Sequence, residues 1–216
     1  MKWLTLLMLL PLAGAAIIAA LPKANEKAAK QAALATTLAV TAATIAMAVG
    51  FERDNVNLQF VEKYSWIPSF GINYALGVDA IALVLILMST ILAPIVVLAG
   101  WNEAHGGRWS VKTFYILILV LETMMIGVFA ATDAFLFYVI FEAMLIPVYF
   151  LIGGYGTGAR AAAAVKFLIY SLVGGLLMLA SIIALYVMSG AQGGHTFDIN
   201  KLSELQMSST TQNLLF

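Results

Sequence analysis

Glu142 has the strongest claim to chemistry in this sequence. It stands inside DAFLFYVIFEAMLIPVYFLIGG (133–154), an apolar run in which it is the only charged side chain between Asp133 and the Gly153-Gly154 pair. A helix crosses the hydrocarbon core with about 20 apolar residues, and this run has that length. Counted from Asp133, a rise of 1.5 Å per residue puts Glu142 roughly 14 Å deep, near the midplane. An acidic side chain there costs about 2.5–3.5 kcal/mol on insertion scales, so it is a functional candidate by default. The plainer reading is a carboxyl that only bonds a neighbouring helix. Pro147 follows five residues later. It has no N–H to give the Ala143 carbonyl, which leaves an open acceptor next to the acid. Such a gap is tolerated in a membrane where neighbours or water fill it. A carboxyl and a loosened backbone at one depth suggest a wet, protein-lined spot that exchanges protons.

Two further charges lie within apolar runs. Glu122 is central in residues 113–131, and only Thr132 and Asp133 separate that run from the next. The two helices are therefore antiparallel neighbours. Glu122 precedes Thr132 by ten residues and Glu142 follows it by ten, so both acids reach the same depth. If helix rotation turns them toward each other, two like charges in a dry site cannot both ionise easily. Lys166 lies in the first turns of the last long run, 161–188. It either snorkels to the interface or leans toward Glu142 from the neighbouring helix. Asp79 stands at the start of another run, where a carboxylate caps the helix N-terminus.

The composition sets the class. Of 216 residues, 62% are hydrophobic and 10% charged, with mean hydropathy +0.97; soluble domains carry about 25% charged residues. The 11 basic and 11 acidic side chains balance, which implies no nucleic acid or other polyanionic partner. No cysteine is present, so this chain carries no disulfide, thiolate metal site or iron–sulfur cluster. His105 and His195 stand apart in loops without metal-ligand spacing. The glycines of GGYGTGAR (153–160) lack the preceding strand and the Lys-Ser/Thr end of a nucleotide loop. With no nucleophile–base pair either, an enzyme active site within the chain is not indicated.

The expected fold is an all-α integral membrane bundle of six transmembrane helices in a single domain, within the lipid bilayer. The spans are 3–21, 32–50, 77–100, 113–131, 133–153 and 161–188. The first apolar run is longer than the 7–15 residues of a signal-peptide core and is taken as retained, with a kink at Pro11. The second is rich in Ala and Thr, which suits close packing inside a bundle. Residues 51–76 form the longest polar interval, in which 56–60 alternate like a short strand and Ile67-Pro68 and Phe70-Gly71 read as turns. Residues 189–216 form a polar tail. Connectors 22–31, 102–112 and 155–160, with the first turns of the sixth helix, carry Lys23, Lys27, Lys30, Arg108, Lys112, Arg160 and Lys166. The opposite side carries Lys2, Arg53, Lys63 and Lys201. The richer side is expected in the cytoplasm, with both ends outside.

Four stretches resemble a known family: TLLMLLPLAGA near the start, LGVDAIAL (76–83), FAATDAFLFYVIFEAMLIPVYFLIGGYG (129–156) and AAVKFLIYSLVGGLLMLASIIALY (163–186). They resemble the antiporter-like subunit M (chain 4) of proton-pumping NADH–quinone oxidoreductase, respiratory complex I. The Phe-Glu followed by Met-Leu-Ile-Pro is the most specific element. The resemblance implies a proton-channel role for Glu142, with Glu122, Lys166 and the break at Pro147 as accompanying features. It implies NADH, FMN, iron–sulfur clusters and quinone in other subunits, none of them in this chain. It also implies partners among the other membrane subunits, including further antiporter-like ones, and a bacterial plasma-membrane location. In the family the Glu pairs with a lysine on a seventh helix. The ending TTQNLLF looks like the approach to that helix, so the expectation is an N-terminal piece of a longer subunit, and no motif matches Lys166 to the missing lysine. Similar subunits occur in multisubunit cation/proton antiporters and membrane-bound hydrogenases. A reading of another class is a truncated assembly element whose small-residue faces only pack.

Overall fold

The computed structural model describes residues 2–22, 25–52, 54–55, 57–102, 107–192, 194–208 and 211–212. Lys23, Arg53, Val56, His105 and the end at Phe216 lie outside the described residues. In chain order the elements are α1 (Trp3–Ala20), α2 (Glu26–Val49), β1 (Gln59–Ile67), β2 (Ile72–Val78), α3 (Ala80–Ala99), α4 (Val111–Ala130), α5 (Ala134–Tyr155), α6 (Arg160–Gly190) and α7 (Ile199–Ser203). The first six α-helices of this series, α1 to α6, are each long and apolar enough to cross a membrane.

The boundaries differ from the sequence reading where polar residues continue a helix beyond its apolar run. Helix α2 starts at Glu26, not at residue 32, because Asn25 caps it by accepting from Ala28 N at 3.4 Å. The connector KANEKAAKQ is therefore largely its first turns. Asp79 does cap α3, accepting from Ala82 N at 2.7 Å. Within the polar tail expected at 189–216, Phe197 and Leu202 are buried against Ile72, Ala134 and Ile182.

Helices α1 to α4 form one bundle, α5 packs on α4, and α6 packs chiefly on α5. Gly127 lets three helices approach, since a Cβ there would meet Met8 Cε at 2.6 Å and Ile140 Cδ1 at 3.1 Å. One apolar cluster fills the half of the bundle next to β2 (Leu4, Leu7, Val40, Leu76, Ile126 and neighbours), and another the opposite half around Ile18, Ala33, Tyr115 and Leu119. The small Ala and Thr side chains of α2 fit this packing.

The interval between α2 and α3 is an antiparallel hairpin of β1 and β2, longer than the expected strand at 56–60. Its turn is a short 3-10 segment, Pro68–Phe70, closed by Gly71 at φ 68. A left-handed residue is required there, and glycine adopts it without strain. The hairpin caps the bundle. Glu62 of β1 is buried and accepts from Leu4 N at 2.8 Å and from the Thr5 N–H and hydroxyl. A strand carboxylate thus satisfies the free N–H groups of the first turn of α1, which has no side-chain cap of its own. Asp133, 1% exposed, caps α5 by accepting from Phe135 N and Leu136 N at 3.0 and 3.1 Å, and takes Asn73 N of β2 at 3.0 Å. Burial pushes the Asp133 carboxyl above the ordinary carboxylate range, against the pull of those three N–H donors. Thr132 N donates to Ala75 O, and Ile199 N to Thr132 O, so strand, helix turn and tail are laced together.

At the opposite end lysines cap helix C-termini. Lys112 Nζ donates to Ala19 O at 3.1 Å and to Leu21 O at the end of α1, and Lys30 Nζ to Trp101 O beyond α3. Both lysines are buried.

Asp133→Ala removes a helix cap and the β2 contact together. It is expected to cost about 2 kcal/mol and to lower Tm in detergent by several degrees, measured by circular dichroism. Asp133→Asn keeps the cap oxygen but turns an NH2 toward Asn73 N–H, and should lose about half as much. Glu62→Ala strips α1 of its acceptor and should cost about 1–2 kcal/mol in the same melt.

Candidate functional site

Glu142 lies on the α6 side of α5. Ile140, two residues earlier, packs on Gly127 of α4. Two residues turn a helix by about 200°, so Glu142 points away from α4. Its carboxyl rests against Gly175 of α6: a Cβ built on Gly175 would fall on Oε1 and reach Cδ at 2.6 Å. Oε1 is fully buried and has no hydrogen-bond partner among the described residues. The residue as a whole is half-buried. Tyr138 sits one turn earlier on the same stripe, where i and i+4 side chains are neighbours.

Glu122 matches Glu142 in depth but not in direction. It is 3% exposed, and neither carboxyl oxygen has a hydrogen-bond partner among the described residues. The two acids therefore do not bond each other. Glu122 follows Tyr115 by seven residues on the same stripe, and the Tyr115 hydroxyl bonds Gly100 O at the end of α3. Gly127, which meets α5, lies roughly 140° further round α4. The condition under which the two carboxyls would compete is not met, because the two-residue turn fixes their depth while the helical period turns them apart.

Lys166 is also not brought to Glu142. It is exposed on α6. Gly175 follows it by nine residues, which puts Lys166 about 14 Å away along the helix and roughly 180° round it. Among the described residues it makes no hydrogen bond or ion pair. The loop histidine His195 is exposed, stacks on Tyr186 with centroids 4.8 Å apart and bonds Tyr186 O through Nδ1 at 3.0 Å. No group of three or more His, Cys, Asp or Glu able to hold a metal occurs among the described residues.

The proline breaks differ in their surroundings. Pro94 of α3 leaves the Thr90 carbonyl without its helical donor, and Thr41 Oγ1 of α2 fills it at 2.6 Å. Pro147 of α5 is buried and frees the Ala143 carbonyl, to which no side chain among the described residues donates. The acid and the open acceptor thus stay together on α5.

Gly175 and Tyr138 are the site residues that the motif reading passed over. Gly175 stood there only unnamed within the stretch 163–186. A signal existed in the spacing: Glu142 lies 13 residues before Tyr155 and Gly175 15 after Arg160. On antiparallel helices both are about 20 Å from the connector.

Comparison with known proteins extends this geometry. Residues 131–216 match the family model described as NADH:quinone oxidoreductase/Mrp antiporter, TM. The chain is 44% identical to the NADH-quinone oxidoreductase subunit M of Mycobacterium tuberculosis, over 93% of this chain and 41% of that protein. Its fold matches a chain of respiratory complex I from Thermus thermophilus with a TM-score of 0.79 and 24% identity, over 98% of this chain and 41% of the other. A chain of the Mrp complex from Dietzia gives the same TM-score, 0.79, at 19% identity, over 98% of this chain and 22% of that one. The chain thus spans about two fifths of the length of the curated subunit M that it matches. With Glu142, Pro147 and the α5–α6 pair all inside the matched region, the chain belongs to the subunit M family of antiporter-like membrane proteins of NADH–quinone oxidoreductase.

Proposed function

We propose that the chain serves as the N-terminal part of a proton-translocating membrane subunit of NADH–quinone oxidoreductase, in which Glu142 carries the proton at mid-membrane. The observation behind this reading is the Glu142 carboxyl, with Oε1 buried and unpartnered between α5 and α6. A buried polar atom without a partner calls for a physical reason, and a site that takes up and releases a proton is one. Electrons pass from NADH to quinone through FMN and iron–sulfur clusters in other subunits, and quinone reduction drives the carboxyl between its two states. A nearby positive charge stabilises the carboxylate and its withdrawal favours the acid, so proton occupancy follows a charge set elsewhere. Glu122, inside the α1–α4 bundle, and Lys166, on the uncovered face of α6, are further ionisable groups of the route, neither of them in contact with Glu142.

The other membrane subunits of the complex are the partners in this reading, and the bacterial plasma membrane is the location. The end holding Lys30, Arg108, Lys112 and Arg160 faces the cytoplasm, and the β hairpin faces outward. Two of those lysines also cap helix ends, so part of the charge asymmetry has a structural use. A second reading, a subunit of a cation/proton antiporter, is favoured by the equal fold match to the Dietzia Mrp chain. The 44% identity to a subunit M supports the first.

Glu142→Gln, placed in the complete subunit within its assembled complex, keeps the shape and removes the titrating group. Proton pumping in inverted membrane vesicles is expected to fall at least roughly tenfold, while assembly and electron transfer to a soluble acceptor persist. Pumping at the normal rate would sink the assignment.

A further inference from the structure

We infer that Gly175 is the positioning residue for the Glu142 carboxyl, and that the absence of a side chain there is what seats the acid between α5 and α6. The inference rests on the proposed role of Glu142. Glycine within a helix is less favourable than alanine, so a glycine pair in mid-helix calls for a reason. The pair supplies its own comparison. A Cβ on Gly174 would have nothing within 4 Å, whereas one on Gly175 would coincide with Glu142 Oε1, with Cδ at 2.6 Å and Oε2 at 3.3 Å. The two positions share backbone, depth and helix, and differ only in what they face.

The contact is with the functional group itself. Gly175 is among the few buried residues of α6, together with Ala164, Ile182 and Ser189. Most of the rest of that helix is exposed or partly so. Nearer the connector than this notch the two helices also lie close, since a Cβ on Gly153 of α5 would meet Ala164 Cβ at 3.4 Å. A methyl at 175 leaves two outcomes. Either the helices separate, which loses packing on both sides of the notch, or the carboxyl swings out of it. Outside the notch the acid meets lipid or a different neighbour, at the wrong distance from whatever delivers and removes its proton. Misplacement by about 1 Å can cost a transfer step roughly 100-fold.

The test uses the complete subunit in its assembled complex, with proton pumping in inverted vesicles read beside electron transfer to a soluble acceptor. Gly175→Ala is expected to lower pumping roughly tenfold or more and to shift its pH profile, while Gly174→Ala stays within about twofold of the parent. Glu142→Asp in the Gly175→Ala background shortens the acid by one methylene and withdraws it from the new methyl. It is expected to recover a large part of the lost pumping, although Glu142→Asp alone lowers it. If Gly175→Ala prevents assembly, restoration of assembly by the second change supports the same contact. Equal pumping by Gly175→Ala and the parent, or no recovery on adding Glu142→Asp, overturns the inference. Normal pumping by Glu142→Gln would instead remove the function on which it rests, so the two failures are told apart.

Discussion

Asp133 holds the constraint on which the rest depends. Its carboxyl accepts from two N–H groups of α5 and one of β2, in a site almost closed to solvent. Hydrocarbon offers no substitute donors or acceptors, so a helix end near the membrane surface must find them within the protein. With α4 ending at Ala130 and α5 beginning at Ala134, this cap fixes where α5 starts and therefore how deep Glu142 lies. The hairpin belongs to the same arrangement. Glu62 does for α1 what Asp133 does for α5, and the Lys63–Asp198 pair at 3.2 Å joins the strand to the tail. Being exposed, that ion pair adds little energy; the buried carboxylate caps do the holding.

From that fixed depth the helical period separates the acids. Glu122 and Glu142 are equidistant from the turn, yet one faces the α1–α4 interior and the other α6. Their surroundings differ accordingly. Within the bundle the carbonyl freed by Pro94 is filled by Thr41, and the hydroxyls of Thr37, Thr44 and Thr123 bond backbone carbonyls. Polar groups there are largely satisfied, and among the described residues Glu122 stands out as an exception. On α5 the acid, the proline and an unfilled carbonyl remain together at the edge of the bundle. The edge position leaves Glu142 half-buried while its Oε1 is fully buried.

Helix α6 presents an apolar outer face. Tyr170, Val173 and Leu177 are all more than half exposed, and Lys166 shares that side. Membrane helices associate through close van der Waals contact and shared polar groups rather than by escape from water, so such a face serves lipid or protein equally. The curated subunit M that the chain matches is more than twice as long, and Lys166 is the charged residue that this face offers to whatever adjoins it.

Much of this was legible in the residues. Hydropathy located the six spans, the Asp79 cap and the turn at Pro68–Phe70, because length, a capping carboxylate and a proline act locally. The two-residue link between α4 and α5 gave antiparallel neighbours and a common depth for the acids by counting alone. Helix α2 began earlier than its apolar run, because hydropathy measures the lipid-facing length whereas the cap at Asn25 sets the helical one. Rotation about each helix axis was beyond the sequence: it depends on which small residue meets which neighbour, and Gly127 against Ile140 and Gly175 against Glu142 settle it only in three dimensions. The chain thus carried the acid and its depth in its residues, while packing decided that Glu142 meets a glycine of α6 rather than Glu122 or Lys166.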